Sequence, residues 1–417
     1  MEREDHSSID VEDPDTPLVR SIRKMLDGLP PQSPECCIFR VPKNLRNVNA
    51  KAYTPQIVSI GPLHHGDKDL QAMEELKLRY LHAFLDRTEM NLEKCVKEIK
   101  VWEERARSFY SESIKLSSDE FVKMILVDSG FIIEVILRFH SPKWKLPEII
   151  DVLADMILIE NQLPFFVIES LYKLAFASHQ QQDLHSLVGL SIKYFKYLLP
   201  LNYIPEMISS SEVKHFVDLI RMCLLRASRG SLKARTGMYM SIGNATELHH
   251  AGVKFMKSPS NCLLDMQFTG GLLEIPQLSV QDMTESLLRN LIVLELYCYR
   301  FDSYILDYVC FMDNLIDTPK DVDLLIQNEI IQCCLGVNFE VAALFNNLTR
   351  ETTLLGGFYF SDLYGDLNAY CKIPWHNWKA ILKRDYFSTP FRGASTVAAV
   401  ILLVLTFLQT ICSILSL

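Results

Sequence analysis

The sequence predicts a mainly α protein: a multi-helix globular body carrying a small β-hairpin element, followed by one C-terminal transmembrane helix. Three observations predict it. Apolar residues recur at three- and four-residue steps along most of the chain, the signature of amphipathic helices. A single stretch instead alternates apolar and polar residues around a Gly-Gly turn. The last two dozen residues, Ala394 to Leu417, contain no charged side chain. With 417 residues, 49% of them hydrophobic, the chain can bury one or two cores. The organisation expected is an acidic, Pro-containing disordered tail over 1–35, a helical body over 36–392 with two lobes divided near residue 230, and a transmembrane helix over 394–417.

The net charge is −9, and residues 1–17 hold seven acids against one base, so the rest of the chain is close to balance. A nucleic-acid binder needs a basic stripe, and the sequence has none, which excludes that class. After the acidic run come Pro30, Pro31 and Pro34, then an extended lead-in, ECCIFRVPKNL, with Pro42 and Pro55 biasing the residues before them to extended backbone. IVSI (57–60) reads as a short strand that Gly61-Pro62 stops.

The helices then follow. Met73, Leu76, Tyr80 and Phe84 share one face. Leu92, Val96, Ile99, Trp102, Ala106 and Phe109 do the same in the next run, and the two helices are expected to pack as a hairpin or as a long antiparallel pair. DEFVKMILVDSGFIIEVILRF (119–139) is apolar on most sides, as a central helix should be. Residues 148–161 read as a helix ended by Pro164. A Gln-rich loop occupies 176–186. Ser209 and Glu212 have capping-box spacing before VKHFVDLIRMCLLR. Residues 228–243, with Arg229, Gly230, Lys233, Arg235 and Gly237, read as a mobile linker.

Leu264, Met266 and Phe268 alternate, Gly270-Gly271 turns, and Leu273 and Ile275 return, with Pro276 expected to hold the second arm at an edge. Helices follow at TESLLRNLIVLELYCY, after Pro319 and at VNFEVAALFNNLTRE, then a segment with Trp375 and Trp378.

An uncharged apolar run of this length fits a bilayer span, with Thr406, Gln409, Thr410 and Ser413 able to bond their own helix. Lys383, Arg384 and Arg392 precede it, so the positive-inside tendency puts the body in the cytosol. The N-terminus is acidic, with no apolar signal region. The expectation is a single-pass, tail-anchored protein that contacts membrane lipid through Ala394–Leu417 and whose acceptor sites at Asn244 and Asn347 stay unmodified.

The chemical candidates are few. The 11 cysteines include the doublets Cys36-Cys37 and Cys333-Cys334 but no Cys-x-x-Cys pair, and Cys223, Cys298 and Cys310 lie in apolar runs. They read as reduced core-filling thiols rather than zinc ligands. His64-His65 and His249-His250 are adjacent pairs, which point apart in strand or helix and so suit one metal poorly. Asp155 and Glu160 lie in an apolar run, where buried acids can be perturbed. Asn161-Gln162-Leu163-Pro164 reads instead as a helix exit, whose polar side chains satisfy free carbonyls. No nucleophile elbow, phosphate loop or His-Glu-x-x-His motif occurs. No catalytic, cofactor-binding or metal residue is therefore assigned, and no cofactor is expected.

Several stretches together resemble the plant family called domain of unknown function 247. They are the Ile-x-Arg-Val-Pro segment at Ile38–Pro42, Tyr53–Gly66 with its Val-Ser-Ile-Gly-Pro-x-His-His-Gly run, and Met73-Glu74 with Lys77. Glu160–Phe166, Ala251–Phe255, Arg289–Glu295, Phe311–Ile316 and the apolar last helix with Gln409-Thr410 follow in family order. Leu63, where the family more often has Tyr, and Pro390-Phe391, where it has Pro-Trp, depart from the pattern. The resemblance implies a membrane-anchored plant protein without established enzymatic activity. Some grass members act in self-incompatibility recognition with small secreted proteins, which implies a body outside the cell and opposes the charge-flank reading.

Two function classes stand. One is a membrane-anchored recognition or signalling scaffold with protein partners of unknown identity; the chain is then not an enzyme. The other is an enzyme of unrecognised type with Asp155, Glu160 or His64 in a cleft. Titratable groups converging on a deep pocket would favour the second.

Overall fold

The computed structural model describes residues 16–27, 33–141, 148–177, 186–196, 208–226, 232–260, 262–373 and 390–415. It is mainly helical, with five short strands among the described residues. The first departure from expectation is helix α1, Pro17–Asp27, inside the segment read as disordered. Thr16 Oγ1 accepts the Val19 N–H, and Pro17 takes the first helical position, where a missing N–H leaves no bond unmade. No residue of α1 is buried.

The lead-in runs extended from Cys36, with Ile38 bridged to Tyr110, before the short helix α2, Lys43–Val48. Helices α3, Ala72–Thr88, and α4, Leu92–Arg107, form where the periodicity puts them. They do not pair mainly with each other as expected. Both pack on α5, Ser118–Phe139, which a Ser117–Glu120 capping box starts. Helix α5 is the central helix, buried on nearly every side from Phe121 to Ile136. Gly130 lets α3 approach: a Cβ there would sit 2.5 Å from Leu81 Cδ1.

Helix α6, Glu148–Met156, stops short of the expected residue 161. Pro164 does not end it but caps α7, Phe165–Phe176. Most of the Gln-rich loop lies outside the described residues. Helix α8 is Leu187–Phe195. Ser209 and Glu212 do not cap the next helix; they bound a 3-10 turn without a side-chain cap bond. Helix α9, Phe216–Arg226, is capped by His215, whose Nδ1 accepts the Asp218 N–H at 3.3 Å. Residues 232–243 are not a free linker. Arg235 forms a two-pronged bond with Asp307, at 2.7 and 2.8 Å, and Gly237 bridges Phe358.

After α10, Ala245–His250, comes a three-stranded sheet of β1, Lys254–Ser258, β2, Gln267–Thr269, and β3, Leu272–Pro276. The β2–β3 hairpin turns at Gly270-Gly271 as expected. Strand β1 pairs parallel to β3, so the second arm is central and not an edge. Pro276 is tolerated because it is the last residue of the strand. Strands β4, Leu278–Val280, and β5, Ile331–Cys333, form a separate parallel pair.

Helices α11, Thr284–Cys298, α12, Tyr304–Leu315, α13, Pro319–Gln327, α14, Asn338–Leu348, and α15, Ser361–Cys371, complete the body. One cluster of buried apolar side chains runs from Cys37 to Leu367. Lys383, Arg384, Trp375 and Trp378 lie outside the described residues. Helix α16, Pro390–Leu415, contains Ala394–Cys412, which is long and apolar enough to cross a membrane, with mean hydropathy 2.2 and none of it buried. Thr406 and Thr410 donate their hydroxyls to the carbonyls of Leu402 and Thr406, one turn earlier, each at 2.8 Å.

Candidate functional site

Between the 3-10 turn that ends at Tyr53 and the positive-φ Gly61, residues 55–60 run without helix or neighbouring strand, so their backbone groups need other partners. Side chains supply them. Asp155 accepts the N–H groups of Gln56, Ile57 and Val58 at 2.7–2.9 Å. Asn161 accepts the Ile60 N–H at 2.7 Å through Oδ1 and donates Nδ2 to Val58 O at 3.0 Å. Donor and acceptor thus reach the groups on either side of Ser59, as one residue of a parallel neighbour would. This explains why IVSI reads as a strand yet forms none: two side chains stand in for the missing ladder.

The same segment is held from beneath by α3 and α5. Asp128 Oδ2 accepts the Gly61 N–H at 2.8 Å, and Lys77 donates to Ser59 O at 2.9 Å. Lys77 and Asp128 form a fully buried ion pair of 2.6 Å. Burial opposes the Lys77 charge, but Asp128 and Glu74 outweigh it and hold its pKa above the ordinary lysine value.

Glu160 gathers the lead-in. Oε1 accepts the Val41 N–H at 2.6 Å and a bond from Arg46, and Oε2 lies 3.0 Å from His64 Nε2. Burial would raise its pKa, but the bonds from His64, Val41 and Arg46 prevail and hold it below the usual carboxylate value. Gln162 completes the run. Its Nε2 donates to Met156 O and Leu158 O, free carbonyls at the exit of α6, and its Oε1 accepts the Phe216 N–H at the start of α9. The helix-exit reading of 161–164 thus holds, and it covers Glu160 as well.

These groups hold backbone N–H groups and paired cations. Both acids are almost wholly buried, at 2% and 1% exposure, and neither lines either of the two pockets described next. The larger, about 730 Å³, lies between α2, α11 and α14 and is lined by Asn44, Asn47, Asn49, Glu285, Arg289 and Arg350. Arg289 is held there by Glu285 at 2.7 Å and by Asn347 O at 3.1 Å. The smaller, about 340 Å³, sits beside Phe339 and Leu344.

The structure brings His64 together with Glu160 but leaves its neighbour His65 exposed, as it does His249 and His250. Among the described residues, no group of three or more His, Cys, Asp or Glu is placed to hold a metal. Asn347 lies in α14 with Nδ2 bonded to Ala343 O, and Asn244 caps α10. Cys37, Cys223 and Cys310 are buried, and burial pushes the Cys310 thiol up to about 12.

Sequence reasoning missed three buried ion pairs: Lys77–Asp128, Arg221–Glu295 at 2.8 Å and Arg235–Asp307 at 2.7 Å. A charged residue on the apolar side of a helix, as Lys77 is on α3 and Asp128 on α5, was the available signal for the first.

The family model of DUF247, described as a plant protein of unknown function, matches residues 38–405. The chain is 30% identical to UPF0481 protein At3g47200 of Arabidopsis thaliana, over 91% of this chain and 87% of that protein. It is 23% identical to a second protein of that plant, UPF0481 protein At3g02645, with 89% of each covered. No solved structure matches.

Proposed function

Since the chain belongs to this plant family of unknown function, we propose that it is a membrane-anchored recognition scaffold that acts through protein contacts and carries no reaction of its own. One observation carries the reading. Asp155, Glu160 and His64, the residues best suited to acid–base work, are spent on fastening the 38–61 backbone and on one another. The two described pockets are lined by other residues, the larger by carboxamides and charged side chains that include the Glu285–Arg289 pair, the smaller by Phe339, Leu344 and their neighbours.

The anchor is Ala394–Cys412, none of which is buried against the body, and its Thr406 and Thr410 hydroxyls are satisfied inside their own helix. The basic residues Lys383, Arg384 and Arg392 before it favour a cytosolic body.

Proximity labelling from a tag at either terminus tests scaffold and orientation together. Reproducible cytosolic neighbours, lost when 394–412 is deleted, are the expected result. Release of the intact chain by carbonate washing would overturn the anchor. A glycosidase-sensitive size shift at Asn244 or Asn347 would overturn the orientation.

A further inference from the structure

Helix α1 is eleven residues long and divides cleanly in two. At 100° per residue, Leu18, Val19, Ile22, Met25 and Leu26 fall within about a third of its circumference, while Arg20 and Lys24 fall opposite and Arg23 flanks the stripe beside Val19. In a globular protein such an apolar stripe faces the core. Here Leu18 is 69% exposed, Met25 70% and Leu26 59%, and no apolar residue of α1 belongs to the core or packs against it. A helix this short is marginal in water without a surface to bury its apolar face.

Two observations identify that surface. The polar face is basic, which suits phosphate groups, and long Arg and Lys stems let the charges reach upward while the apolar face sinks. The same chain carries Ala394–Cys412, so on the anchor reading above, α1 is tethered to a bilayer by its own chain.

We infer that α1 lies in the headgroup layer of the membrane that Ala394–Cys412 crosses. Its apolar stripe enters the acyl boundary, and Arg20, Arg23 and Lys24 meet lipid phosphates. The inference rests on the anchor reading and extends it: the body is held at both ends, which fixes the face it turns to the bilayer. The acidic charges that precede α1 in the sequence weaken the contact on anionic lipid without abolishing it, because the apolar stripe provides most of the binding.

The test is amide hydrogen exchange of residues 17–27 in the full chain, reconstituted in nanodiscs of phosphatidylcholine alone or with phosphatidylserine. The reference is the chain lacking 394–412, free of lipid. Exchange at least about tenfold slower in both discs is expected, with Ile22→Asp or Met25→Asp returning it to the reference rate. Arg20→Gln with Arg23→Gln and Lys24→Gln should reduce the protection partially. Stable incorporation with reference-rate exchange would overturn the inference while leaving the anchor intact. Failure to incorporate would overturn both. Protection seen only in discs holding two copies would mean that α1 covers itself with a second chain, which also overturns it.

Discussion

Glu160 and His64 meet across 96 residues of chain, with His64 Nε2 3.0 Å from Glu160 Oε2. Glu160 also holds Val41 and Arg46, so a single carboxylate fastens both the 38–46 lead-in and the 53–66 loop. Replacing Glu160 by Gln turns an N–H group toward at least one of these donors. The expected cost is about 3–5 kcal/mol, the usual penalty for breaking a buried pair from one side. Denaturant midpoints of the solubilised chain measure it. The carboxylate's lowered pKa adds a sign: its stabilisation is complete above about pH 4.3 and is lost as the pH falls further, a loss that the variant should not show.

His64→Ala is expected to cost about 1–3 kcal/mol, because Glu160 Oε2 loses its hydrogen bond and keeps only Arg40, 3.9 Å away. His65→Ala, at an exposed position, should stay within about 0.5 kcal/mol. Replacing both by Gln should leave the purified chain's zinc and iron content unchanged in elemental analysis. Equal costs for the two Ala variants would contradict the geometry.

Burial pushes the His215 pKa down to about 4, against about 6.5 in an unfolded chain. Between those values the unfolded chain takes up a proton that the folded one refuses. Stability should therefore fall as the pH drops from about 6.5 toward 4, by up to about 3 kcal/mol. His215→Asn retains an acceptor for the Asp218 N–H and removes the titration. A flatter stability curve in that window is the result to look for.

Gly61 sits at φ +74, where a side chain is strained, and a Cβ there would lie 2.5 Å from the Gln162 carbonyl oxygen. Gly61→Ala should cost about 2–4 kcal/mol through backbone strain and the forced separation of the two segments. Gly66 also has positive φ but nothing near it, so Gly66→Ala should cost only the strain, about 1–2 kcal/mol. A thermal-melt ranking of the two variants separates steric from conformational cost.

Arg235→Met removes both bonds to Asp307 and leaves that acid buried without its cation. A loss of about 3–5 kcal/mol is expected, together with new protease cleavage between 232 and 243. Cleavage at an equal rate in the unaltered chain would restore the linker reading of that stretch.

Much of this architecture is legible in the residues. The helices at 72–88, 92–107, 118–139 and 284–298 follow from spacing because each hides one side and wets the other. The hairpin follows from Gly270-Gly271. Strand β1 was not legible, since Lys254–Ser258 buries only Phe255 and Ser258 and so never alternates. Composition made 232–243 look solvated, because the value of Arg235 depends on an acid 72 residues away. The pocket beside Arg289 draws on three distant helices and left no local trace. The stripe of α1 was present in Leu18, Ile22 and Met25, but the neighbouring prolines and acids concealed it.

The lead-in gathers its partners from far along the chain: Ile38 from Tyr110, Val41 from Glu160, and Ala52 O from Asn290, 238 residues later. On a ribosome adding roughly 5–20 residues per second, this first part of the body would wait about 10–50 s for its last partner to emerge. Its apolar side chains need shelter during that interval. Slowed synthesis or a premature stop upstream of Asn290 should therefore produce aggregates rather than a smaller working protein.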